Sequence, residues 1–94
     1  MEINQLISAL DETISFLRDS QSSNWASLSA AEMIQELESE IDRIKNSNPP
    51  DAKRIAFLFA PTGPIQETSI DNGWGDEFLR LSEIVDPFTA PDGA

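Results

Sequence analysis

The sequence predicts an all-α fold, a small bundle of about four helices, and three observations carry that expectation. Apolar residues recur at helical spacing along most of the chain. Helix start and stop signals punctuate those stretches, among them a Ser-x-x-Glu box and breaks rich in Asn, Gly and Pro. The connections are short, as between neighbouring helices of a bundle. With 94 residues there is room for one domain and a modest core. The expected domain spans residues 1–86, followed by a flexible tail over 87–94.

The first helix runs from Glu2 to about Asp19. Ile3, Leu6, Ile7, Leu10, Ile14 and Leu17 form one apolar face, and Gln5, Ser8, Asp11, Glu12 and Ser15 fill the other. Ser20-Gln21-Ser22-Ser23-Asn24 is a polar loop of turn formers. Two starts compete for the second helix. Ser29-Ala30-Ala31-Glu32 reads as a capping box, whereas a start near Ser23 or Asn24 places Trp25 and Leu28 in the first turn. Met33, Ile34, Leu37, Ile41 and Ile44 are its buried face, and Asn46-Ser47-Asn48 ends it. Asn48 as cap, Pro49 at the first helical position and Asp51 near the positive end open a third, short helix. Ile55, Leu58 and Phe59 are its apolar face, and Pro61 stops it.

Ala60-Pro61-Thr62-Gly63-Pro64 breaks the pattern. Residues 65–70, with β-branched Ile65, Thr68 and Ile70, read as an irregular or strand-like segment. An α+β fold with this segment as an edge strand in a dimer is the alternative. After the turn at Asp71-Asn72-Gly73, the last helix starts at Trp74 or Asp76. Trp74, Phe78, Leu81 and Val85 give its apolar face, and Asp86-Pro87 closes it.

Charge is the unusual feature of composition. Six Lys and Arg stand against 17 Asp and Glu, a formal net charge of −11. A field of that sign opposes nucleic acid and anionic membranes and favours encounter with basic proteins. It also confers solubility without any partner. No apolar run approaches the ~20 residues of a membrane span, and no secretory signal opens the chain, so a cytoplasmic location is expected. The absence of Cys and His removes thiolate sites, the commonest general base and the commonest transition-metal ligand. No enzymatic activity and no cofactor are expected.

Two constellations stand out. Glu32, Glu36 and Glu40 share one face of the second helix, with Glu38 and Asp42 beside them, and like charges at that spacing repel. The face is either plain solvated surface or a docking surface for a basic protein. Asp71-Asn72-Gly73-Trp74-Gly75-Asp76-Glu77 crowds oxygen ligands, yet glycines fall where an EF-hand loop needs oxygen donors, so no metal is expected. Asp76 and Glu77 suit the positive end of a helix. Trp25 and Trp74 are first of all core residues. Trp74, if exposed, is the better interface anchor, with Asp71, Asp76 and Glu77 around it.

The run Ile55-Ala56-Phe57-Leu58-Phe59, then Gly63, Ile65, Gln66 and Ile70, then Asp71-Asn72 ahead of a closing amphipathic helix, resembles a group of short bacterial helical proteins. Some of that group are immunity-type proteins, which neutralise a toxin by binding it. Trp25 agrees with the pattern, and Gly73-Trp74-Gly75 departs from it. The resemblance covers about half the chain and includes no catalytic motif. It implies a binding role, that of an acidic, immunity-like inhibitor of a basic protein. The alternative is a homodimeric structural or accessory protein whose acidity serves only solubility.

Overall fold

The computed structural model describes residues 2–24 and 26–89, and among these every regular element is helical. The order is α1 (Glu2–Arg18), α2 (Ala30–Lys45), α3 (Ala52–Leu58), α4 (Pro64–Asp71) and α5 (Gly75–Thr89). The all-α class is as expected, with five helices in place of about four. α1 packs along α2 and, less extensively, along α5, while α3 and α4 lie against α5 and α4 also touches α2. Leu6, Leu10, Ile14 and Leu17 of α1 meet Met33 and Leu37 of α2, Ile55 and Leu58 of α3, Ile65 of α4 and Phe78, Leu81 and Val85 of α5 in one core. The radius of gyration, 12.4 Å, matches the ~12 Å of a close-packed chain of this length.

The caps explain where the helices begin. Ser29 forms the capping box: its hydroxyl accepts from the Glu32 N–H at 3.1 Å, and the Glu32 carboxylate accepts from the Ser29 N–H at 2.9 Å. The later of the two competing starts is therefore the real one, and Trp25 lies outside the described residues. α3 is capped by Asp51, whose carboxylate accepts from the Arg54 N–H at 3.1 Å, not by Asn48. Pro49 itself precedes Pro50, which disfavours helical dihedrals at what would be the first helical position after Asn48.

The strand-like reading of residues 65–70 is corrected: Pro64–Asp71 is a helix. Its local chemistry outweighs the β-branched residues. Gly63 is the N-cap and Pro64 sits at the first position, where its missing N–H costs nothing. The Gln66 side chain reaches back to accept from the Thr62 N–H, and the Thr68 hydroxyl donates to the Pro64 carbonyl at 2.9 Å, satisfying a buried polar group inside the helix. At the far end Gly73 takes φ +83°, the Trp74 N–H donates to Ser69 O and the Gly73 N–H to Ile70 O, which closes the helix in a Schellman motif. Asp86-Pro87 does not end α5, which continues through Pro87 to Thr89. The proline forfeits only the backbone bond to Glu83 in the last turn, and Phe88 packs against the core beyond it. Residues 87–89 of the expected tail thus belong to α5, and the rest of it, residues 90–94, lies outside the described residues.

Candidate functional site: two acidic surfaces with different fates

Four of the five carboxylates of α2 take a cap or ion-pair role in the fold, although only Glu40 is buried. Glu32 is half of the capping box. Glu36 takes a 2.6 Å hydrogen bond from the Arg54 guanidinium of α3, and that bond holds the Glu36 carboxyl below the ordinary carboxylate range. The same contact raises Arg54 above its usual value. Arg54 also lies 5.3 Å from the centre of the Phe57 ring, a cation–π contact at the surface. Glu38 pairs with Arg18 of α1 at 3.1 Å. Glu40 is 6% exposed, and its carboxylate accepts from the Asp51 backbone N–H at 2.9 Å, with Arg43 at 4.0 Å. Of the shared face expected for Glu32, Glu36 and Glu40, only Glu40 is withdrawn from solvent, while Glu32 stays exposed and Glu36 half-exposed. The chain entering α3 supplies the Asp51 N–H for Glu40, and α3 supplies the cation for Glu36.

Trp74 is also withdrawn from the surface. It is 5% exposed, its ring stacks on Phe16 of α1 at 4.9 Å, and its indole N–H donates to the Ser20 hydroxyl at 2.8 Å. Burial with both ring and N–H satisfied is the core role, and it leaves no exposed face to act as an anchor. The same turn holds the α1–α2 loop. Asn72 accepts from the Gln21 N–H at 2.9 Å and donates to the Gln21 carbonyl at 2.8 Å, while the Ser23 hydroxyl donates to Asp71 at 2.5 Å. The stretch 71–77 is a fastener for a polar loop. Among the described residues no group of three or more acidic side chains is placed to hold a metal ion.

The outer side of α4 and α5 is different. Glu67, Asp71, Asp76, Glu77, Glu83 and Asp86 fall on these two helices with one cation, Arg80. Its guanidinium is engaged by Glu12 of α1, which raises it above its ordinary value. No Lys or Arg occurs between Arg54 and Arg80. Asp76 and Glu77 sit in the first turn of α5, as expected for the positive end of a helix. Between the carboxylates are two large apolar side chains, Ile70 at 59% and Leu79 at 52% exposure. Neither stood out in the sequence. Leu79 could have been found as the apolar residue off the Trp74–Phe78–Leu81–Val85 face. Ile70 becomes visible as an outward residue only once 64–71 is read as a helix.

A second surface feature is a groove of about 750 Å³ between α1 and α5, with Ala9, Ile84, Pro87 and Phe88 as apolar lining and Glu12 and Glu83 at its sides. Comparison with protein-family models, with curated proteins and with solved structures finds no match to this chain. No described helix is long and apolar enough to cross a membrane.

Proposed function

We propose that this chain is a non-enzymatic, acidic interaction domain that binds a basic protein partner, in the manner of an immunity-like inhibitor. One observation carries the reading: among the described residues the carboxylates of α4 and α5 make no ion pair, because the one cation on those helices pairs with α1. All four arginines are engaged by glutamates, and Arg80, the only cation on α4 and α5, is turned toward α1. An uncompensated surface of this kind steers a basic protein into encounter and supplies complementary charge once it docks.

The test is stopped-flow association of the full chain with a basic product of the adjoining reading frame. The expected on-rate falls at least about tenfold between about 0.02 M and about 0.5 M NaCl, because the screening length shrinks severalfold over that range. A complex that forms equally fast at both salt concentrations would remove electrostatic steering. If that product forms no complex with the chain, the inhibitor reading is lost.

A further inference from the structure

The exposed apolar residues of α4 and α5 are adjacent. A β-carbon built on Gly75 would lie 3.7 Å from Ile70 Cγ1, so Ile70 already reaches the first turn of α5. Leu79 is one turn further along the same side of α5, and helical side chains lean toward the N-terminus, in the direction of Gly75. Gly73 and Gly75 place no side chain between them, and nothing lies within 4 Å of where a Gly73 β-carbon would stand. Ile70 and Leu79 thus stand exposed on either helix beside a stretch of backbone that Gly73 and Gly75 leave bare, here called a saddle.

Every charged residue that helical spacing puts beside this saddle is acidic, apart from Arg80, which Glu12 occupies. Glu67 lies one turn before Ile70, Asp71 follows it, Asp76 opens α5, and Glu83 lies one turn after Leu79. A second copy of this chain would bring the same carboxylates and the same net charge of −11 against them. Like charges placed opposite one another disfavour that pairing.

We propose that Ile70 and Leu79 are the anchor of the docking surface, and that its occupant is a basic amphipathic segment of a partner protein. An aliphatic side chain of that segment sits between Ile70 and Leu79 over Gly75, and its Lys or Arg residues meet Glu67, Asp71, Asp76 and Glu83. This rests on the basic-partner reading above and assigns it a place. The anchor is not Trp74, which is buried, and the acidic contacts are not those of α2, where Glu36 and Glu38 already pair with arginines and Glu40 is buried.

The experiment titrates the full, isotope-labelled chain with two synthetic peptides of equal positive charge, a Lys/Leu amphipathic helix and its Lys/Ser counterpart. Amide and methyl resonances report the site. The Lys/Leu peptide is expected to shift residues 67–80, including the Ile70 and Leu79 methyls, and to bind at least about tenfold more tightly than the Lys/Ser peptide. The double substitution Ile70→Ser and Leu79→Ser should remove that difference while leaving the melting temperature nearly unchanged, since both side chains are mostly exposed. Equal binding of both peptides, or shifts centred on α2 or the α1–α5 groove, overturns this surface but leaves the basic-partner reading standing. Absence of salt-dependent binding by either peptide overturns both. The mapping on the unsubstituted chain decides the matter even if the double variant fails to fold. Self-association in sedimentation that the double substitution abolishes would replace the basic occupant with a second copy.

Discussion

Glu40 shows how one residue can change role between sequence and structure. By spacing it belongs with Glu32 and Glu36, yet its carboxylate is the acceptor for the Asp51 N–H that leads into α3. Asp51 in turn caps that helix, so the α2–α3 junction hangs on two carboxylates in series. Replacing Glu40 with Ala should strand a backbone donor and destabilise the protein by about 1–3 kcal/mol in urea unfolding. Glu40→Gln keeps an acceptor oxygen at the same reach and should cost less. Equal losses for the two variants would mean that charge, through Arg43, matters more than the hydrogen bond. Trp74 makes the complementary point. It keeps the core role first expected of it, but the groups that enclose it, Phe16 and Ser20, come from a helix and loop more than fifty residues earlier.

At the level of elements, α4 separates propensity from context. Ile65, Thr68 and Ile70 favour extended backbone on average, by margins of a few tenths of a kcal/mol each. Against them stand a proline at the first position, the Gln66 side chain folded back over the entry and the Schellman closure at Gly73. Burial of Ile65 then commits one face. The entry has no room to spare: a β-carbon on Gly63 would lie 2.8 Å from the Ala60 carbonyl oxygen and 3.0 Å from that of Phe57. Gly63→Ala should therefore cost about 1–3 kcal/mol, read as a lowered denaturation midpoint with an unchanged slope. A neutral result would show that the 60–63 turn can relax. The signals that set α1, α2 and α5 were plain in the sequence because their apolar faces repeat over many turns. α4 was missed because eight residues give a period too few repeats to be seen, and its caps lie in a Pro-Gly-Pro stretch that reads as a break.

Across the whole molecule, charge is distributed by pairing over long separations. Glu36 and Arg54 are 18 residues apart, Arg18 and Glu38 are 20 apart, and Glu12 and Arg80 are 68 apart. These pairs are half-exposed, where each is worth little in water, and they leave most of the acidic excess unopposed. Two effects of salt therefore compete: screening weakens the pairs and also weakens the self-repulsion of a chain at −11. The repulsion is the larger. Raising NaCl from about 0.01 M to about 0.3 M should stabilise the fold by about 1 kcal/mol, which at this size is a rise of about 4–8 °C in the melting temperature. A fall in the circular-dichroism melting temperature would show that the ion pairs dominate.

The sequence by itself determined that the chain is helical, where α1 lies, which residues form the apolar face of α2, and that the net charge is strongly negative. Each of these rests on residues within a turn or two of one another, or on a simple sum. Only the tertiary structure decided which acids remain available to a partner. That choice depends on which cations come within hydrogen-bonding distance, and the pairs that make it join helices far apart in the chain. The same folding brings Phe16 over Trp74, α3 over Glu40 and Ile70 beside Gly75. Of the two acidic stretches marked in the sequence, it pairs that of α2 with arginines and leaves that of α4 and α5 with Arg80 alone.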